Sequence, residues 1–163
     1  MALTTALLCG AGLWALDLQA RQGRDTRRKL DLEDLETAVN RHLAQTGTLP
    51  PADAPTWCGT VNAPESRAVR DVIETSLRET KKYARAEKPF PADPRFSGTA
   101  RDYAYWKTSP VSFELLAELE ADNNNSRPLD LASCELRLGG ARSPATRSGG
   151  YDYALISVQR SFP

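Results

Sequence analysis

The sequence predicts an α+β protein: a long N-terminal helix, the stem, packed on a small antiparallel β-sheet head, with a second helix between them. Three observations predict it. No proline occurs from Met1 to Leu49, and the apolar positions from Leu30 onward repeat at helical spacing. A proline-rich break at 50–65 ends that run. After PFPADPR at 89–95 the apolar period changes from helical to alternating. Helices first and antiparallel strands after are the α+β order.

The first helix divides into two parts. Residues 2–16, ALTTALLCGAGLWAL, carry no charge; Asp17 interrupts them, and Arg21, Arg24, Arg27, Arg28 and Lys29 follow. Fifteen apolar or small residues are fewer than the ~20 that cross a bilayer unaided. A signal-peptide core, a membrane helix missing its beginning and a buried helix all fit a run of this length. A signal peptide carries its positive charge before the apolar core, whereas here the charge comes after it, and Leu8 stands before Cys9 where a lipoprotein has a small residue. The expectation is a membrane helix. Gly23 is the only glycine from Leu13 to Thr46, so the helix continues. Leu32, Leu35, Val39 and Leu43, with Ala38 beside them, form one apolar stripe. Gly47 and Pro50-Pro51 stop it. The expected organisation is a membrane-spanning start over 1–20, an amphipathic half over 21–49 and a globular head over 50–163. At 1.5 Å per residue such a helix reaches roughly 65–70 Å. That is longer than one small head can cover, so its first half needs apolar partners elsewhere.

In the head, 50–65 reads as loop, with Trp57 and Val61 folding back on the core. A second amphipathic helix is expected from about Ser66 to Ala86, with Val69, Val72, Ile73, Leu77 and Tyr83 on one face. PFPADPR cannot be helical. DYAYWK at 102–107 and SFELLAELE at 112–120 read as two strands, the second with Phe113, Leu115, Ala117 and Leu119 on one face. ADNNNSRPLD is a polar loop, CELRL at 134–138 a short strand, and YDYALISVQ at 151–159 the last strand.

Composition narrows function more by exclusion. Charge is balanced, 21 basic against 21 acidic, which argues against a dedicated nucleic-acid binder. The single histidine, His42, is the one residue on which a triad or histidine metal site would depend, and it reads as a helix-surface residue. Among three cysteines no CxxC pair occurs, so zinc spacing is lacking. Cys58 and Cys134 form a disulfide in an oxidising compartment or stand as two separate thiols. No carboxylate pair, nucleophile–base pair or phosphate-cradling glycine loop stands out, so no enzyme is expected.

Three stretches resemble, in order, the type IV pilin and type II secretion pseudopilin family, and the major pseudopilins in particular. ARQGRDTRRKLDLEDLETAVNRHLAQTGTLP is similar to the family's helix exit: an Ala-Arg step, Arg-Asp, a basic cluster, an Asp-Leu pair, and a Gly-x-Leu/Tyr-Pro stop. PFPADPR resembles its Leu-Pro-x-Asp-Pro segment. DYAYWKTSPVSFELLAELEADNNN resembles its aromatic hairpin, ending in Leu-Glu and an Asn-rich turn. The family's leader-peptidase site, a Gly-Phe-Thr-Leu-x-Glu run, is absent, as is the acidic residue that opens the mature helix. The expectation is a truncated or misassigned start, against an unprocessed, diverged subunit.

The resemblance implies a structural subunit that assembles through its N-terminal helix with other copies or related subunits. It also implies an inner-membrane platform and its ATPase as partners, and a single-pass bacterial inner-membrane location with an extracytoplasmic, periplasmic head. The basic residues from Arg21 to Lys29, read alone, place the C-terminal side in the cytoplasm; the resemblance implies the reverse. The bundling surface would be Leu3, Leu7, Leu8, Leu13, Trp14 and Leu16, with Gly10 and Gly12 allowing close approach. Asp17 either pairs with a basic residue of a neighbouring subunit or marks the membrane–water boundary. No cofactor is expected. Calcium is the one candidate, at Asp122, Asn124 and Asp130, because some relatives hold it near the sheet's end, but the spacing lacks the regular calcium-loop pattern. Two rivals remain. A minor pilin for DNA uptake or adhesion would show a basic patch such as Arg137, Arg142 and Arg147. A membrane-anchored extracytoplasmic binding module that never polymerises would show a deep apolar pocket.

Overall fold

The computed structural model describes residues 2–80, 89–97, 102–120 and 153–158, and the side chains of 14–80, 89–97 and 102–120 among them. One α-helix, α1, runs Ala2–Thr46. Its length follows from the absence of proline and from Gly23 being the only glycine between Leu13 and Thr46. It stops where Gly47 adopts φ 75°, with the Gly47 amide donating to the Leu43 carbonyl at 2.8 Å, a glycine C-terminal stop. The chain then turns through a cis Pro50-Pro51 bond.

α1 touches the head along only part of its length. From Trp14 to Arg24 no residue is buried, whereas Asp25, Arg28, Leu32, Leu35, Ala38, Val39 and Leu43 all are. Those positions recur at three- and four-residue intervals and so form one face. The expected stripe is therefore the buried one.

The head carries a four-stranded antiparallel sheet in the order β1-β2-β3-β4. The strands are β1 (Trp57–Thr60), β2 (Ala104–Ser109), β3 (Ser112–Ala117) and β4 (Tyr153–Val158). β2 and β3 form a hairpin with Tyr105 opposite Leu115 and Lys107 opposite Phe113, and a bulge falls between Lys107 and Ser109. On the helix-facing side Tyr105, Phe113, Leu115 and Ala117 join Leu32, Leu35, Val39, Leu43, Ile73 and Leu77 in one core. Rings stack across the strands, Trp57 on Tyr105 and Tyr105 on Phe113, each at 5.8 Å between centroids. Ala104, Leu116 and Cys58, which alternate to the other face, are also buried, so the sheet is covered on both sides.

α2 (Arg67–Arg78) follows a 3-10 turn at Pro64–Ser66 and packs alongside α1. Val69, Ile73 and Leu77 face the core. It ends earlier than the sequence suggests: the Thr80 amide and hydroxyl both donate to the Leu77 carbonyl, at 2.9 and 2.7 Å. That closes the last turn with a short-range bond. Tyr83 lies outside the described residues.

The reading of 50–65 as loop is corrected, since β1 occupies its centre. WCGT is too short to show alternation and sits among prolines; pairing with β2 makes it a strand. Gly59 is required there, because a β-carbon would collide with the Trp57 indole. Trp57 does pack on the core, and Val61 is buried. β2 begins two residues later than expected and β3 ends at Ala117, after which the chain leaves the sheet toward α1. β4 matches the last expected strand within two residues. The strand expected at 134–138 lies outside the described residues.

Candidate functional site

The basic cluster of α1 is built into the head. Arg28, 1% exposed, is the centre. Its Nε and Nη2 donate to both oxygens of Asp93 at 2.6 and 2.9 Å, Nη1 to Asp25 at 2.7 Å, and Nη2 also to Glu120 at 2.7 Å. Glu120 in turn accepts two bonds from Arg24, at 2.9 and 2.6 Å, and lies 3.2 Å from Arg95. Backbone amides complete the lattice: Glu120 N–H donates to Asp25 at 2.9 Å and Arg95 N–H to Asp93 at 2.7 Å. Arg24, Arg28 and Arg95 thus balance Asp25, Asp93 and Glu120, three cations against three anions.

Local sequence places each member. The i, i+3 spacing of Asp25 and Arg28 puts both on the head-facing side of α1. Prolines at 91 and 94 hold Asp93 on a bend whose own backbone it binds. Glu120 lies three residues past β3, where the hairpin meets the helix. Burial works against the Arg28 charge, but hydrogen bonds to Asp93, Glu120 and Asp25 outweigh it and hold the guanidinium above its usual pKa. Burial also opposes ionisation of Glu120, yet bonds from Arg24 and Arg28 bring its carboxyl down to about 2. Arg28 and Glu120 therefore both stay ionised at neutral pH. No group of acidic, histidine or cysteine residues that could hold a metal ion occurs among the described residues.

Two neighbouring polar groups extend this brace. Tyr103, buried, donates its hydroxyl to Asp31 at 3.1 Å, and Arg27 reaches the same carboxylate at 3.1 Å. Burial first, and then the Asp31 and Asp93 charges, push the Tyr103 hydroxyl up. Asp102 accepts from the Asn62 backbone and side-chain amides, both at 2.7 Å, tying β1's exit to β2's entry. Burial raises the Asp102 carboxyl, against those bonds.

Lys107 is a second buried cation, of a different kind. Its ammonium donates to the carbonyls of Leu49 at 2.9 Å and Pro51 at 2.7 Å, fixing the turn that ends α1. No carboxylate bonds to it in these contacts, and burial lowers its pKa. Lys107 has no assigned role in the sequence analysis. The phase of DYAYWK already placed it on the Tyr103–Tyr105 face, and that was the available signal.

Of the residues expected to assemble the stem, Trp14, Leu16 and Asp17 are exposed. Trp14 and Leu16 are 71% and 63% exposed. Asp17 is exposed and paired with Arg21 of its own helix at 2.6 Å. Leu3, Leu7, Leu8, Gly10, Gly12 and Leu13 belong to α1, and their side chains lie outside the described set. Among the described residues no helix is long and apolar enough to cross a membrane.

Cys58 is disulfide-bonded, to a cysteine whose side chain lies outside the described set. Cys134, the calcium candidates Asp122, Asn124 and Asp130, and the basic residues Arg137, Arg142 and Arg147 lie outside the described residues. Tyr103 and Tyr105 are buried in the core. His42 is half-buried on α1, and burial lowers its pKa.

The chain matches no protein-family model, no curated protein and no solved structure. What it does therefore has to be argued from its own residues.

Proposed function

We propose that this chain is a pilin- or pseudopilin-like structural subunit, anchored at its N-terminus and assembling through the exposed part of α1 with other copies or related subunits. One observation carries the reading: the three stretches that carry the family resemblance meet at Arg28. The helix exit supplies Arg24, Asp25 and Arg28, PFPADPR supplies Asp93 and Arg95, and the end of the aromatic hairpin supplies Glu120. A motif set whose members lock one stem to one head has a mechanical reason to occur together. Each bidentate guanidinium–carboxylate contact fixes direction as well as distance, so the head holds a set angle to the stem.

The rest follows from what the lattice leaves free. From Trp14 to Gly23 no residue is buried, and Trp14 and Leu16 face outward. Lipid before assembly and neighbouring helices after it are the partners that suit such a surface. The bacterial inner membrane, an extracytoplasmic head, a platform and its ATPase belong to the same reading. So does a Cys58–Cys134 disulfide: Cys9 is fifteen residues, roughly 22 Å of helix, before Arg24, the first residue of α1 that bonds to the head.

Expression of the full chain in a bacterium with Leu13→Cys or Leu16→Cys tests it. Membrane-fraction cross-linking into dimers and higher ladders is the expected result. A strictly monomeric, membrane-bound product would instead make the chain a tethered module that does not polymerise.

A further inference from the structure

The carboxylates of the head differ in what neutralises them. Asp25, Asp93 and Glu120 accept from guanidinium groups, and Asp102 accepts from the amides of Asn62. Glu114 is different. It sits in the middle of β3, only partly exposed, and its side chain makes no hydrogen bond or ion pair among the described residues. Burial pushes its carboxyl up with nothing to oppose it, whereas arginines bring Glu120 down. A half-buried carboxylate without a partner has lost hydration and gained no bond in exchange. Beside it lies an aromatic plane. Trp106 on β2 is the register partner of Glu114, which places their β-carbons about 4.5–5.5 Å apart on one face of the sheet. That face points away from α1, because Trp106 and Glu114 alternate with Tyr105, Phe113 and Leu115, which are in the core. Cys58, Ala104 and Leu116 are buried on the same face, and Trp106 and Glu114 are the partly exposed pair next to them.

We infer that Trp106 and Glu114 form a docking site for an arginine side chain presented by a partner polypeptide, its guanidinium lying on the indole face with its N–H edge on the carboxylate. Three features choose that occupant. An uncompensated negative charge is complemented by a cation. A single ring beside a carboxylate suits a planar guanidinium, which stacks and donates two parallel bonds at once. A lysine ammonium is a point charge, and a quaternary ammonium is held best in a cage of several rings. Finally, a strand face is flat, whereas small ligands bind where a concave surface surrounds them. The cation therefore belongs to a chain that can lie across the sheet. The site is on the head and does not depend on assembly through α1.

The full chain in mild detergent, isotope-labelled at tryptophan, tests it. The Trp106 indole N–H resonance, identified by its loss in Trp106→Phe, is followed as the peptide acetyl-Gly-Arg-Gly-amide is added. A saturating shift is expected, with affinity roughly fivefold above that of the same peptide carrying citrulline, the neutral isostere of arginine. Glu114→Gln should bring the arginine peptide down to the citrulline level without lowering the melting temperature, since it removes a carboxylate that has no partner. Equal binding of the two peptides to the wild-type chain would overturn the inference. So would a shift that survives Glu114→Gln, or no shift at the highest soluble peptide concentration. A tighter response to maltose would make the pair a sugar platform, and a shift on concentrating the protein alone would put a second copy there. Either of these results also overturns it.

Discussion

The two parts of α1 are one continuous helix with opposite chemistry. From Arg24 to Leu43 it is bonded and packed into the head; from Trp14 to Gly23 it is bare. Backbone hydrogen bonding is the same in both, so what differs is where each side chain's free energy is realised. Leu32, Leu35 and Val39 bury their surface within the chain, at roughly 1.5–3 kcal/mol each. Trp14 and Leu16 bury theirs only when something else arrives. The first part stabilises the fold; the second leaves Trp14 and Leu16 exposed, the surface on which the proposed assembly depends. Arg28 sits at the boundary and converts one into the other, by making the bare part a rigid extension of the head.

The comparison breaks most visibly at Arg28. Arg28→Ala leaves Asp25, Asp93 and Glu120 buried around a missing cation, and should cost the head about 3–5 kcal/mol in denaturant unfolding. A loss under ~1 kcal/mol would mean the lattice is decoration. Within the packed part, Leu35→Ala removes a fully buried side chain and should cost about 2–5 kcal/mol.

Lys107 sharpens the contrast between the two buried cations. Arg28 is neutralised by carboxylates, while Lys107 is held by two carbonyls at the end of α1. Lys107→Met keeps the bulk and strands those carbonyls, so a smaller loss is expected, about 1–3 kcal/mol. Acid should separate them too. The folded-state pKa of Glu120 is depressed from 4.5 to about 2, so its contribution is present above pH ~4.5 and is lost as pH falls toward 2. Unfolding followed across that window should show the loss, and Glu120→Gln should flatten it. An unchanged slope would remove Glu120 from the lattice.

Much of this was legible in the residues. The stripe Leu32-Leu35-Val39-Leu43 lies within one helix and its period shows directly. Phe113, Leu115 and Ala117 show theirs by alternation. β1 did not show, because a four-residue strand owes its existence to pairing with β2, a partner over forty positions away. The Arg28 lattice was legible only in pieces. Its members span residues 24 to 120, and a string of letters does not state that the carboxylates of PADPR and LAELE turn toward one guanidinium. Nor did the charge of Lys107 announce that it would be buried, since a lysine on a strand is ordinarily taken for a solvent-facing one.

The smallest expected effect on the fold is also the most decisive. Trp14→Glu with Leu16→Glu alters only the bare part of α1, so head stability should stay within about 0.5 kcal/mol of the parent. Measuring thermal unfolding and membrane cross-linking on that one variant tests both halves together. The account predicts an unchanged head and a lost assembly ladder. A ladder that persists, or a head that melts early, would contradict it.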